Sequence, residues 1–263
     1  MKEFRFQAHR GVNTVFPENT LIAYEAAVKQ GYKIIELDPR VTADGEFVLH
    51  HDGSVNRTGR HSDGSSFTVS TPVSSLTLKE LKTLDFGIFK DEKFAGTKIP
   101  TLGETLDFIK KNGISIKIDS CFENLGPEAL DRFMAEIKDA DAEPLIGFTC
   151  KSVAMIARAA KEFPYAEIHW DGVSSEEQRQ AILGSLKHNR FTVWIPYDNQ
   201  YTAWFRGEHA NESNCAEAKT FAELGIWTLS QKTELEDAVR KFGADAIETN
   251  GELKPYMLDE IRV

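Results

Sequence analysis

Positive charge is scarce in this chain. Its 263 residues carry 31 lysines and arginines against 41 acidic residues, for a formal net charge of −10. A general nucleic-acid binder, or a protein held on anionic lipid by charge, needs a basic footprint, so both classes are disfavoured. Cysteine is sparse too: Cys121, Cys150 and Cys215 are odd in number, widely spaced and without a C-x-x-C pattern. That argues against a disulfide framework or a zinc site and suits reduced thiols. No apolar run approaches the roughly 18 residues of a membrane span. Met1 leads almost directly into the first strand, leaving no room for a signal peptide. The expectation is a cytoplasmic protein with no stable membrane anchor and no nucleic-acid partner. A glycine-rich phosphate loop after the first strand is also missing, which argues against an open dinucleotide-binding sheet.

What the chain does have is concentrated in residues 4–52. Phe4, Phe6 and Ala8 alternate with Arg5 and Gln7, the period-2 pattern of a strand, and His9-Arg10-Gly11 falls at its end. Asn19-Thr20 opens a helix that Gly31 closes. A second strand begins at Ile34-Ile35, and Glu36 and Asp38, two apart, point to the same side of it. Two acids on one face of a mostly apolar strand repel each other in a dry interior. A divalent cation that prefers hard oxygen ligands, Mg²⁺ or Ca²⁺, relieves this; an exposed sheet edge with solvated acids is the alternative.

Farther along, helix and strand alternate regularly. Strands are expected at 114–119, 145–150, 167–170, 191–197, 226–230 and 245–249, with helices at 102–111, 127–140, 152–163, 174–189, 216–224 and 233–242. With 46–51 treated as an extension or extra strand, eight parallel candidates remain, joined by connections suited to right-handed crossovers. A length of 263 residues and a hydrophobic content of 41% suit one (β/α)8 TIM barrel. Such a barrel gathers His9, Glu36, Asp38, Asp119 and Trp227 at the carboxyl ends of its strands.

These residues carry a resemblance. His9-Arg10-Gly11, Pro17-Glu18-Asn19-Thr20, Glu36-x-Asp38, Thr42-x-Asp44-Gly45, His51-Asp52 and Arg57-Thr58 are followed by Ile99-Pro100-Thr101-Leu102-Gly103-Glu104-Thr105-Leu106 and a weaker echo at Trp227-Thr228. In order and spacing the set resembles the signature of the glycerophosphodiester phosphodiesterase family. Each motif alone is weak; in register with strands they are strong together. The resemblance implies a single barrel domain over 1–263, with an insertion at about 53–98 that lies over the barrel mouth. It implies a metal-dependent phosphodiesterase that converts a glycerophosphodiester to glycerol 3-phosphate and an alcohol. By the same likeness His9 and His51 serve acid–base catalysis, Arg10 and a lysine hold phosphate, Trp227 walls the site, and Glu36 and Asp38 bind the metal. Phe67, Phe86, Phe89 and Phe94 either line the pocket or anchor the insertion, with anchoring favoured for each. A related enzyme acting on a sugar-linked or lysophospholipid diester, and a non-catalytic binder, are the rival readings.

The chain departs from the family in the strand Ile114-Ser115-Ile116-Lys117-Ile118-Asp119. Lys117 stands where the family has its third acid, and Asp119 where it has its lysine. At ~3.3 Å per residue, the exchange moves the carboxylate ~6.6 Å. Ile114, Ile116 and Ile118 claim the helical side, so Ser115, Lys117 and Asp119 are expected inside the barrel. Asp119 then completes the metal site directly or through water, or else Lys117 pairs with Glu36 or Asp38 and replaces the ion. The last strand ends Glu248-Thr249-Asn250, where the family more often has Thr-Asp. Alternation with Phe47 and Leu49, together with the His-Asp pair that the family resemblance implies, selects His51 over His50 as the inward histidine. His169 and Asp171 share a strand face that enters the barrel. Tyr201, Trp204 and Phe205, together with Trp194, are expected to line an exposed pocket, and His61, His188 and His209 to be solvated.

Overall fold

The computed structural model describes residues 3–172, 174–198 and 208–262. Its centre is a closed barrel of eight parallel strands in the order β1-β10-β9-β8-β7-β6-β5-β2. The strands are β1 (Arg5–His9), β2 (Ile34–Leu37), β5 (Ser115–Ile118), β6 (Ile146–Cys150), β7 (Glu167–Asp171), β8 (Phe191–Pro196), β9 (Glu223–Trp227) and β10 (Ala246–Thr249). Helices α1 (Leu21–Lys29), α3 (Leu102–Asn112), α4 (Pro127–Asp139), α5 (Val153–Glu162), α6 (Glu176–Ser185), α7 (Glu212–Ala218) and α8 (Lys232–Glu236) form the connections, the short α2 (Leu78–Leu81) precedes α3, and α9 (Met257–Arg262) ends the described chain. This is a TIM barrel. No helix among the described residues is long and apolar enough to cross a membrane.

Alternation divides each strand between two environments. Phe6, Ala8, Ile35, Leu37, Ile116 and Ile118 join the buried apolar layer beneath the helices. The opposite positions fill the barrel lumen with polar side chains. At its amino-terminal end Arg5 donates to Glu167 at 2.7 Å and to Thr192 Oγ1 at 3.2 Å. Register then sets the layers above: Gln7 lies beside Glu248, His9 beside Glu36, and Glu36 beside Lys117. Residues distant in sequence meet because closure of the barrel makes β1 adjacent to β10.

Residues 46–51 are not part of the barrel. β3 (Pro39–Val41) and β4 (Phe47–Leu49) form a separate antiparallel pair, turned at Gly45 with φ +86°. Thr42 Oγ1 bonds Asp44 Oδ1 at 2.6 Å within that turn, which accounts for the Thr-x-Asp-Gly motif. The stretch 53–98 has its own small core of Val55, Val73, Leu81, Leu84 and Phe86, continued by Val48 and Ile99. Phe67 packs against this core and Phe94 against Phe16, with ring centroids 5.4 Å apart. None of these three lines the cavity, so for Phe67, Phe86 and Phe94 the anchoring alternative is the one observed; Phe89 does not line it either.

Two expected elements are misplaced in the last third of the chain. The helix expected at 216–224 is Glu212–Ala218, and the strand expected at 226–230 is Glu223–Trp227. Gly225 explains the slip: it reads as a helix stop, yet it lies within β9 because the Trp194 ring fills the space where its side chain would be. A Cβ at Gly225 would lie 2.4 Å from that ring. The helix expected at 233–242 is α8 followed by a π-helical turn, Asp237–Lys241.

Candidate active site

A cavity of about 600 Å³ opens at the carboxyl ends of the strands. His9, Arg10, Glu36, Asp38, His51, Lys117, Asp119 and Trp227 all line it. Asp171, Glu248, Lys151 and Arg40 line it as well, and sequence reasoning gave these no role there or left it open.

The first wall is built by the loop after β1. Gly11, at φ +84°, lets this loop lie against α1: a Cβ there would be 2.8 Å from Ala23 Cβ. Arg10 turns inward, with Nε 3.5 Å from Asp38 and Nη1 3.2 Å from Glu18. Burial works against its charge, and Asp38, Glu36 and Glu18 outweigh that and hold the proton. Asn19, in the left-handed region, donates to Asp38 Oδ2 at 2.7 Å and accepts from Tyr24 at 3.0 Å. The Pro-Glu-Asn-Thr motif thus does two jobs: Thr20 caps α1, while Glu18 and Asn19 brace Arg10 and Asp38.

The two histidines are held differently. His9 Nδ1 donates to Asn250 Oδ1 at 2.7 Å, and its Nε2 lies 3.9 Å from Glu36. His51 Nδ1 lies 2.6 Å from Asp52 Oδ1. Arg57 holds Asp52 at 2.7 Å and bridges to Glu18, also at 2.7 Å. Hydrogen bonds from Arg57 and then His51 outweigh burial and hold the Asp52 carboxyl well below its usual range. Glu18 is held down at about 2 against its burial, chiefly by Arg57 and Arg10. One ionic chain therefore runs from His51 through Asp52, Arg57, Glu18 and Arg10 to Asp38. Of the adjacent pair, His50 is the buried ring; it bonds Asp52 O at 2.9 Å and Thr58 Oγ1 at 2.8 Å. The alternation argument for an inward His51 therefore fails, because the chain has already left its strand at Leu49. His51 reaches the cavity from a loop.

Lys117 is buried in the lumen. Its Nζ lies 3.6 Å from Glu248 and 4.3 Å from the centre of the Trp194 ring. Burial works to strip its proton, and Glu248, then Asp171 and Glu36, keep it on. Glu248, which also accepts from Gln7, is held below its usual range against burial, first by Lys117 and then by His9. The ion pair observed for Lys117 is with Glu248, whereas the alternative reading paired it with Glu36 or Asp38. Trp194 is a fully buried lumen residue that donates to His169 Nδ1 at 3.0 Å, not the wall of an exposed pocket. Burial, with Lys117 and Arg5, keeps His169 neutral. Tyr201, Trp204 and Phe205 lie outside the described residues.

The carboxylates are poorly balanced. Burial, followed by repulsion from Asp38, Glu248 and Asp119, pushes Glu36 well above its usual range. Burial pushes Asp171 up to about 6 despite Lys117. Donor atoms of Asp38, Asp119 and Cys121 lie within 4.8 Å of one another. Burial keeps the Cys121 thiol protonated, and it donates to Pro39 O at 3.4 Å. A soft thiolate ligand is therefore unsuited here, and the remaining oxygen donors fit a hard divalent cation. Asp119 follows β5 and accepts from Cys121 N at 2.7 Å, which turns it toward Asp38 despite its shifted place in sequence.

Known proteins resemble this chain in sequence and in fold. A glycerophosphodiester phosphodiesterase of Caldanaerobacter subterraneus subsp. tengcongensis is 42% identical over 112 residues, which is 43% of this chain and 43% of that protein. That alignment spans less than half the relative's length. The Bacillus subtilis protein YhdW is 32% identical over 192 residues, 70% of this chain and 76% of its own. The Oleispira antarctica phosphodiesterase OLEI02445, solved with its product sn-glycerol-3-phosphate, shares the fold with a TM-score of 0.71 at 20% identity, over 98% of this chain and 97% of that one. The family profile described as the glycerophosphoryl diester phosphodiesterase family matches residues 9–250, and the chain belongs to that family of phosphoric diester hydrolases.

Proposed function

We propose that this chain hydrolyses a glycerophosphodiester to glycerol 3-phosphate and an alcohol, with His9 and His51 moving the protons. One observation carries the reading: a single cavity of substrate size holds two imidazoles, a guanidinium and a group of carboxylates. The product bound by the Oleispira relative supports the substrate class. A phosphodiester resists an attacking hydroxyl until its own charge is neutralised. Arg10 offers forked donors to the phosphoryl oxygens. Glu36, Asp38 and Asp119 would hold Mg²⁺ or Ca²⁺, which supplies the further charge neutralisation.

By family likeness, the glycerol 2-hydroxyl oxygen attacks phosphorus and the alcohol oxygen leaves, giving a cyclic phosphate that water later opens. One neutral ring accepts the hydroxyl proton at Nε2, and the other ring, protonated, gives its proton to the leaving oxygen. Each such role contributes ~10²–10⁴-fold. Sugar-linked and lysophospholipid diesters offer the same bond. The pairing of Lys117 with Glu248 speaks against the non-catalytic reading, in which Lys117 stands in for the metal beside Glu36 and Asp38.

The test is turnover of a panel of glycerophosphodiesters by enzyme stripped of metal and then given Mg²⁺ or Ca²⁺. Activity is expected only after loading. Separately, His9→Ala and His51→Ala are each expected to lower kcat by ~10²-fold or more without loss of fold. Unchanged turnover in either variant, or full activity after exhaustive chelation, overturns the mechanism.

A further inference from the structure

His9 is oriented by a neutral amide, and an amide can face either way. With Oδ1 toward the ring, as here, Asn250 accepts the Nδ1 proton and leaves the lone pair on Nε2. Turned over, its NH₂ would donate to Nδ1 and push the ring proton onto Nε2. The nearby Glu36 carboxylate, 3.9 Å from Nε2, pulls in that same direction. A carboxylate in place of Asn250 would accept through either oxygen and have no such ambiguity.

A second amide resolves the choice. Asn13 Nδ2 donates to Asn250 Oδ1 at 2.8 Å and to His9 O at 2.8 Å, which uses both of its hydrogens. Turning Asn250 over would set two NH₂ groups against each other at that contact. The surrounding backbone is held as well: Thr14 N donates to Asn250 O at 3.0 Å, and Lys90, from the inserted stretch, donates to Asn13 O at 2.6 Å.

We propose that Asn13 is a positioning residue that fixes the Asn250 amide with its oxygen on His9 and so keeps the His9 lone pair on Nε2. The proposal rests on the reading that His9 transfers protons. Asn13 touches no reacting atom in this scheme; it acts through Asn250 on the ring.

The test joins ¹⁵N NMR of histidine-labelled protein, which reports which ring nitrogen carries the proton, to a kinetic cycle. In the parent, His9 is expected as the Nδ1–H tautomer. Asn13→Ala should mix the tautomers and lower kcat by ~10-fold or more, with KM little changed. Asn13→Asp keeps the shape but can only accept, so it should turn the Asn250 amide over and invert the tautomer. In an Asn250→Asp background, Asn13→Ala should cost less than ~3-fold, because a carboxylate needs no steering. An Nε2–H parent, an unchanged tautomer in both Asn13 variants, or an equal kinetic cost in the two backgrounds overturns the proposal. His9→Ala, run alongside, separates the two readings. An active His9→Ala removes the acid–base role itself, whereas an inactive His9→Ala with insensitive Asn13 variants removes only the role of Asn13.

Discussion

Lys117 and Asp119, like Asn250, depart from the pattern expected of the family, and Glu248 is the partner that meets the Lys117 charge. A buried ammonium 3.6 Å from a buried carboxylate depends on that partner. Lys117→Met strands Glu248 in the lumen and is expected to cost ~3–5 kcal/mol in denaturant unfolding, since removing one member of a buried pair leaves an uncompensated charge. Glu248→Gln in the same chain should recover much of the loss. An unchanged unfolding midpoint in Lys117→Met would show that the pair contributes nothing. Asp119→Asn is expected to weaken divalent-cation binding ~10–100-fold in calorimetric titration, even if Asp119 acts only through a bound neighbour. The inward placement of Lys117 was readable from the flanking isoleucines. Its partner was not, because Glu248 lies at the other end of the chain and meets Lys117 only when the barrel closes. An inward acid in the last strand, Ala246-Ile247-Glu248-Thr249, was the available signal, and alternation alone could have raised it.

At the scale of elements, legibility follows the strength of the local pattern. β1 and β5 were readable from period-2 alternation, and α3 starts at a Thr101–Glu104 capping box that the sequence also contains. The slip at β9 came from a glycine whose reason lies in Trp194, a residue of the neighbouring strand. The inserted stretch was legible only as an interruption, because its order comes from side chains bonding backbone. Asp85 is the clearest case: it is buried and accepts from Gly87 N at 2.7 Å, Ile88 N at 2.9 Å and Gly96 N. Burial opposes its charge, yet these amides hold its carboxyl below the usual range. Its stabilisation is therefore present above the ordinary aspartate range and lost as pH falls through the lowered value. Asp85→Ala leaves amide donors unsatisfied, at ~1–3 kcal/mol or more. The expected outcome is faster hydrogen exchange and earlier proteolysis within 53–98, with the barrel strands less affected. Uniform loosening of the whole chain would contradict a locally held insertion.

At the scale of the molecule, little of the net charge of −10 sits in the barrel mouth, where Glu36, Asp38, Asp119, Asp171 and Glu248 face Arg10, Arg40, Lys117 and Lys151, but several of these acids are buried. Glu36 lies well above its usual range and Asp171 at about 6, both chiefly through burial. The unfolded chain releases these protons near pH 4, as ordinary carboxyls do. Above that point these two sites hold more protons in the folded, metal-free protein than in the unfolded chain, so their contribution to stability falls as pH rises. Below about pH 4 both states are protonated and the penalty is absent. On the proposed reading, a divalent ion would bind the ionised carboxylates and oppose their repulsion, adding about 2.7 kcal/mol when its concentration is a hundred times Kd. Protons compete for those same oxygens. The gap in Tm between metal-loaded and metal-stripped protein is therefore expected to widen from about pH 5 to about pH 7, by several degrees for a chain of this size. Asp171→Asn removes one of the repelling acids outside the ligand set. It should raise the metal-free Tm at neutral pH and leave it nearly unchanged near pH 4. Differential scanning calorimetry of both proteins, with and without chelator, supplies the comparison. A gap that stays constant or narrows with rising pH would mean that the mouth carboxylates are not what the cation binds.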